Sequence, residues 1–173
     1  LRMDMDTTMA RFSHEEKFAA FARGEYDIMV GTQMVAKGLN FPRVTLVGVL
    51  SADQSLYSDD FRSFEKTFSL LTQVVGRCGR GELPGRAFVQ TFSPENRIIE
   101  LASTQNYEEY YAEEIAYRKL GLYPPYCELG AVGFVSPRED LCREAAKRFA
   151  GEFSRLAGTE YKDLPIRALG PTE

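Results

Sequence analysis

The sequence holds only three cysteines in 173 residues, Cys78, Cys127 and Cys142, and no two of them form a C-x-x-C pair. An odd number at long spacings supplies neither a zinc ribbon nor a disulfide framework. The chain must therefore fold on an apolar core, and a reducing, cytosolic setting fits it. Long apolar runs are also missing. The longest, residues 44–50, is interrupted by Thr45 and Gly48 and falls far short of the roughly 20 residues that cross a bilayer. There is no internal repeat, no low-complexity stretch and no charged-then-apolar leader,. A G-x-x-x-x-G-K-[ST] string is absent throughout, so the chain has no Walker A loop with which to cradle a nucleotide by itself. The one histidine, His14, falls inside a helix-start signal, where a lone imidazole reads as a solvated surface group.

What is present is an ordinary composition, 44% hydrophobic and 27% charged, with 21 basic against 25 acidic side chains and a net charge of −4,. The length suits one domain, or one domain and part of another. Leu1 in place of an initiator Met, and a last residue just after a strand-like run, read as a piece of a longer protein. The charge is unevenly divided. From Arg62 to Arg86 five bases (Arg62, Lys66, Arg77, Arg80, Arg86) face two acids, Glu65 and Glu82, whereas the stretch from Glu100 to Glu114 carries five acids and no base. The acidic stretch reads as a solvated helix face.

The first three-quarters alternates strand and helix signals, the pattern of a parallel sheet with crossover helices. Residues 1–3 read as a strand end, Ser13 and Glu16 as a capping box ahead of Phe18, Phe21 and Ala22, and Gly24 as the helix stop,. Residues 28–30 read as a short buried strand and 44–50 as a second, with a loop between them. Asp59 and Asp60 are placed to cap the next helix, where Phe61, Phe64, Phe68, Leu71 and Val75 recur at helical spacing,. Residues 86–92 read as a further strand, closed by Ser93-Pro94. Then the pattern changes to helix on helix: Ile98, Ile99, Leu101 and Ala102, followed by a tyrosine-rich stretch from 107 to 117 that Gly121 ends. Pro124-Pro125 cannot continue a helix and marks a boundary. Beyond it, residues 129–135 and 164–169 read as strands flanking a helix with Leu141, Ala145, Phe149, Phe153 and Leu156 on one stripe.

Two segments carry chemistry. The first is Gln73-Val-Val-Gly76-Arg77-Cys-Gly79-Arg80-Gly81 at the end of the amphipathic helix. On a helix, positions 73, 77 and 80 lie within about 60° of one another, so an amide and two guanidiniums would project from one face. Gly76 and Gly79 leave room for close approach. Guanidinium presents a fork of donors that matches phosphate oxygens. The second is Gly31-Thr32-Gln33-Met34-Val35-Ala36-Lys37-Gly38-Leu39-Asn40 directly after a strand, a hydroxyl, an amide and a lysine in a glycine-flanked loop,.

Together the two segments resemble motifs V and VI of superfamily 2 helicases. A fuller string sharpens the resemblance: Arg2-Met-Asp-x-Asp6-Thr-Thr8, Gly31-Thr-Gln-Met-x-Ala-Lys-Gly38, Phe41-Pro42-x-Val44-Thr45-Leu46-Val47, Leu70-Leu-Thr-Gln-Val-x-Gly-Arg-x-Gly-Arg80 and Pro124-Pro-Tyr126. It is similar to the family of replication-restart primosome helicases over essentially the whole chain. The resemblance implies a RecA-like second helicase lobe over residues 1–95 lacking its first strand, a helical connector over 96–122, and from 123 to 173 the start of a C-terminal α/β domain with a ribosomal-protein-like fold. It implies Arg80 as an arginine finger, worth roughly 10³–10⁵ in rate in other NTPases, with Arg77 a second phosphate contact and Gln73 a sensor of the nucleotide. Gly38 and Asn40 then lie near the ribose, although many superfamily 2 proteins have Asp at the latter, and Gly76 and Gly79 flank the nucleotide. Thr32, Gln33 and Lys37 become the DNA-backbone contacts, which would be sequence-independent and salt-sensitive.

The same resemblance implies ATP and magnesium held mainly by a first lobe, zinc in a cysteine-rich insertion upstream, and no metal on this segment. The implied partners are single-stranded and forked DNA, a single-stranded-DNA-binding protein and other primosome proteins, in a bacterial, nucleoid-associated cytoplasmic setting without a membrane. By itself the segment is expected not to hydrolyse ATP, to bind DNA weakly at most, and to expose an unpaired sheet edge prone to self-association. Residues 44–50 leading to Asp53 imitate a Walker B strand, but Gln54 stands where a DEAD-type motif has Glu. Two other readings stay open: a non-catalytic docking module whose tyrosines bind single-stranded DNA or replication proteins, and a related enzyme acting on RNA, against which the Gly31 to Gly38 string argues.

Overall fold

The computed structural model describes residues 1–3, 11–32, 35, 41–76 and 84–171, with backbone alone at 11–13. The chain forms two compact units, Leu1–Cys127 and Glu128–Glu173. The first is a mixed α/β unit with parallel strand pairs and the helices between and after them.

Its opening strand, β1 (Arg2–Met3), pairs in parallel with β2 (Val30–Gly31), Arg2 opposite Val30 and Met3 opposite Gly31. The crossover helix is α1 (Arg11–Arg23). Ser13 does not cap it, because Ser13 already lies inside the helix and a capping residue needs a non-helical backbone. Gly24 does end it, at φ = 83°. The Gly24 N–H donates to the Phe21 carbonyl and the Glu25 N–H to the Ala20 carbonyl, at 3.0 and 3.1 Å, the paired bonds that close a helix through a left-handed glycine. Ala20, not Ala22, is the buried alanine, and Phe21 meets Phe41 edge-on at 5.0 Å. The strand expected to be buried at 28–30 is instead Val30–Gly31, with Ile28 and Val30 exposed. Two ladder pairs on one edge give it no second layer over those side chains among the described residues.

The second parallel pair is β3 (Leu46–Val49) and β4 (Arg86–Val89), in register from Leu46 opposite Arg86 to Val49 opposite Val89. Among the described residues the parallel strands thus form two two-stranded sheets rather than one continuous sheet. Strand alternation turns Val47, Val49, Ala87 and Val89 inward and leaves Leu46 and Phe88 exposed,. β4 stops before the expected end at 92. Gln90 still donates to the Val49 carbonyl (2.8 Å), but the Asp53 carboxylate then takes the Thr91 hydroxyl (3.0 Å) and the Phe92 N–H (3.1 Å), which draws the chain off the ladder.

Between β3 and β4 come α2 (Ala52–Leu56) and α3 (Ser63–Val75). Asp60, not Asp59, prepares the start of α3, its carboxylate accepting the Arg62 N–H at 2.9 Å and its carbonyl the Ser63 N–H at 2.9 Å. The buried stripe of α3 is Ser63, Thr67, Phe68, Leu71 and Val74, rotated from the aromatic stripe that spacing suggests. Thr67 can be buried because its hydroxyl donates to the Ser63 carbonyl (2.8 Å) and shares a bond with the Ser55 hydroxyl (2.9 Å),. Phe61 is displaced outward and stacks on Tyr123, ring centroids 5.2 Å apart.

After β4, α4 (Arg97–Ser103) is capped by the Asn96 side chain, which accepts the Ile98 N–H. α5 (Tyr107–Gly121) is capped by Asn106 and passes to Leu122 in the left-handed region at φ = 53°, one residue beyond the expected glycine stop. The core lies where α2, α3, α4 and α5 meet: Leu56, Phe68, Leu71, Ile98, Ile99, Leu101, Ala102 and Tyr110, with Phe64 of α3 and Val49 and Val89 of the sheet packed against it. Residues 123–127 stay with these helices, the Pro124 carbonyl accepting from Arg118 at 3.3 Å.

The second unit contains one helix, α6 (Glu139–Thr159). The strands expected at 129–135 and 164–169 do not form, because a strand exists only with a ladder partner and these segments have none among the described residues. α6 buries no residue. Phe149 meets Phe134 at 5.7 Å and Phe153 at 6.1 Å.

Candidate functional site

The last turn of α3 carries the first candidate group. Gln73 is partly buried, and its amide donates to the Ser69 hydroxyl one turn earlier, at 3.1 Å. Gly76 closes the helix in right-handed geometry (φ −68°), its N–H bonded to the Thr72 carbonyl at 2.9 Å. A Cβ at Gly76 would lie 3.1 Å from the Thr72 carbonyl and 3.3 Å from the Gln105 amide nitrogen. A side chain at Gly76 would therefore be crowded, while its backbone is of an ordinary kind. Gln105, in the left-handed region at φ = 54°, forms the turn between α4 and α5. The Thr72 hydroxyl beside it is buried and has no hydrogen-bond partner among the described residues.

The second candidate segment starts at the C-terminal end of β2. A Cβ at Gly31 would lie 2.5 Å from the Met3 carbonyl and collide with Val35, so only glycine lets β1 come alongside and the following residues turn back. Thr32 comes next, exposed, its carbonyl accepting the Val35 N–H at 3.0 Å. Loops at the C-terminal ends of parallel strands are where α/β proteins place ligand contacts. Gln73 and Gly76 thus share the end of α3, and Thr32 follows a strand of the other sheet. Gln33, Lys37, Gly38, Asn40, Arg77, Gly79 and Arg80 lie outside the described residues. So does the expectation that Arg77 and Arg80 continue the face of α3.

Asp53, Cys127 and Cys142 make structural hydrogen bonds. The Asp53 carboxylate anchors the turn after β4. The Cys127 thiol donates to the Leu122 carbonyl (2.6 Å) and the Cys142 thiol to the Phe134 carbonyl (3.0 Å). Among the described residues no three His, Cys, Asp or Glu side chains gather as metal ligands. No described helix is long and apolar enough to cross a membrane.

The acidic stretch is not simply a solvated face. Arg97 binds Glu100, Glu109 and Glu113, and hydrogen bonds to Glu100 and Glu113 hold its guanidinium above the ordinary value. Glu114 is buried, paired to Arg118 Nε at 2.7 Å. Arg118, 14% exposed, reaches across to Glu65 on α3 at 2.7 Å and lies 5.3 Å over the Phe61 ring. Burial opposes the charge on Arg118, but the bonds to Glu114 and Glu65 outweigh it and raise its pKa. The i, i+4 spacing of Glu114 and Arg118 is legible in the sequence. The reach to Glu65 is not. Tyr110 belongs to the core, stacked 3.9 Å from Phe68, whereas Tyr107, Tyr111 and Tyr117 are exposed.

Parallel strand pairs with α3 between β3 and β4 make this a mixed α/β unit, and the comparison with known proteins gives its family. Residues 3–82 match the helicase conserved C-terminal domain. The chain is 54% identical over 166 residues to the replication restart protein PriA of Bacillus subtilis, covering 95% of this chain and 20% of that one. It is 46% identical to PriA of Chlamydia trachomatis (86% of this chain, 20% of that one) and 34% identical to PriA of Borreliella burgdorferi (99% and 25%). It belongs to the PriA family of replication restart proteins. It spans about a fifth of the length of the relatives it matches first.

Proposed function

We propose that this chain carries most of the second, RecA-like lobe (residues 1–95), a helical connector (96–122) and the start of the C-terminal domain (123–173) of an ATP-driven DNA helicase that acts at stalled forks in replication restart and primosome assembly. The observation that carries this reading is the likeness to PriA over 95% of the chain, joined to a helicase C-terminal domain over residues 3–82. The described geometry is consistent with it: α3 carries Gln73 in its last turn and closes at Gly76. In this reading Arg80 is the arginine finger, Arg77 a second phosphate contact, and Gln73 the residue that senses the nucleotide. Gly38, Asn40, Gly76 and Gly79 border the nucleotide, and Thr32, Gln33 and Lys37 hold the DNA backbone. ATP and magnesium are bound mainly by a first lobe and zinc by a cysteine-rich insertion, both in other parts of the full-length protein. The protein works in the bacterial cytoplasm at the nucleoid, on single-stranded and forked DNA, with a single-stranded-DNA-binding protein and other primosome proteins as partners.

The test is single-stranded-DNA-stimulated ATP turnover by the full-length protein with Arg80→Ala, at saturating ATP and with DNA affinity measured in parallel. Charge stabilisation by a finger predicts a fall of about 10³ or more, roughly 4 kcal/mol of barrier, with DNA affinity kept. Turnover within about threefold of wild type would remove Arg80 from the mechanism and leave a docking module.

A further inference from the structure

The Arg118 guanidinium donates to Glu65 of α3 at 2.7 Å, while its other described partners lie off that helix. Glu114 accepts from its Nε at 2.7 Å and the Pro124 carbonyl from its Nη1 at 3.3 Å, and the Phe61 ring, just ahead of α3, lies 5.3 Å away. The guanidinium is thus a fixed post on α5, and Glu65 ties α3 to it. Tyr117 meets Phe64 at 6.4 Å and Tyr110 stacks on Phe68, so α5 runs along the first two turns of α3. Glu65, Ser69 and Gln73 follow one another at i, i+4 and share one ridge of α3,. The tether therefore stands about two turns from Gln73 on the same ridge, and Arg77 and Arg80 come next in the sequence.

A half-exposed ion pair contributes little to stability,. What a short, charge-assisted bond to a fixed guanidinium does supply is direction. A helix of 13 residues is about 20 Å long and tilts as one piece, so its hold near Glu65 is felt at its far end. We propose that Glu65 is a positioning residue for ATP turnover: bridged to Arg118, it sets the tilt of α3 and with it the placement of Gln73, Arg77 and Arg80 against the nucleotide. The proposal rests on the second-lobe reading above and adds to it a residue that touches neither nucleotide nor DNA.

The test is steady-state ATP turnover by the full-length protein with saturating single-stranded DNA, at a temperature where circular dichroism shows every variant folded. Misplacing a reacting group by about 1 Å costs up to about 10²-fold, so Glu65→Gln should lower kcat at least about fivefold. KM for ATP should stay within about twofold, because in this reading the first lobe holds most of the nucleotide. A bridge that only stabilised the fold would lower the melting temperature and leave kcat of the folded protein unchanged. Adding Glu65→Gln to Arg118→Met should lower kcat no further than Arg118→Met alone, since both act through one bond. A smaller fall for Glu65→Gln would overturn the proposal, and so would losses that multiply in the double variant. Loss of turnover in Arg80→Ala in the same assay would then show that the helicase reading stands. A wild type without DNA-stimulated turnover would overturn both.

Discussion

A methyl group at Gly31 would lie 2.5 Å from the Met3 carbonyl oxygen, a backbone atom that cannot yield without breaking the β1–β2 register. Gly31→Ala should therefore destabilise the protein by about 1–3 kcal/mol, read as a lower urea midpoint. Thr32→Ala, one residue on and exposed, should stay within about 0.5 kcal/mol. Equal midpoints for the two variants would show that β1 and β2 do not approach as closely as the structure has them. Asp60 makes a prediction in pH. The Lys66 ammonium, then the Arg62 N–H and guanidinium, hold its carboxyl far below the ordinary value of 3.8. A carboxyl depressed in the folded state stabilises above its unfolded pKa, and that contribution is lost as pH falls through the folded one. The wild-type urea midpoint should exceed that of Asp60→Asn near neutral pH, and the gap should narrow progressively below about pH 4. A gap unchanged down to pH 2 would remove Asp60 from the acid sensitivity.

At the scale of elements, Arg118 is the clamp between α5 and α3. Replacing it by Met keeps the stem but strands Glu114, which is buried. Breaking a buried pair from one side costs about 3–5 kcal/mol, and with the Glu65 end half exposed we expect about 2–4 kcal/mol from Arg118→Met in chemical denaturation. Adding Glu114→Gln should recover much of the loss, because the buried charge is then gone. If the double variant is no better than the single, the loss lies in packing over Phe61 and not in the charge. The pattern of such elements explains what the sequence reveals. α3, α4 and α5 are legible because i, i+3 and i, i+4 spacing is local, and Phe68, Leu71, Ile98 and Leu101 are buried as that spacing requires. The stripe of α3 is rotated because Thr67, polar by type, has its hydroxyl satisfied within the helix and by Ser55. The strands expected at 129–135 and 164–169 fail because pairing is non-local and alternation alone cannot supply a partner. For the candidate site, Gln73, Gly76, Gly31 and Thr32 stand at the helix end and the strand end that their motifs suggest. The Arg118 to Glu65 bridge, between residues 53 apart, has no sequence signal at all.

Across the whole molecule the two units differ in what can hold them folded. Leu1–Cys127 contains every buried residue among those described, and its core joins four helices and a sheet. Glu128–Glu173 holds α6, 21 residues long with none buried, flanked by irregular chain in which Val135 and Leu169 are exposed. A helix draws most of its stability from tertiary packing of one face, and without it even a long one is marginal in water. The Phe134, Phe149 and Phe153 contacts give α6 a few ring edges to lean on, which is far from a core. Expressed separately, residues 1–127 should unfold cooperatively on heating, while residues 128–173 should show partial helicity that melts broadly and exposes apolar surface to a hydrophobic dye. Circular dichroism with temperature distinguishes the two. A sharp transition from residues 128–173 would mean that α6 and its flanks pack into a core of their own, and the division of stability argued from burial would be wrong.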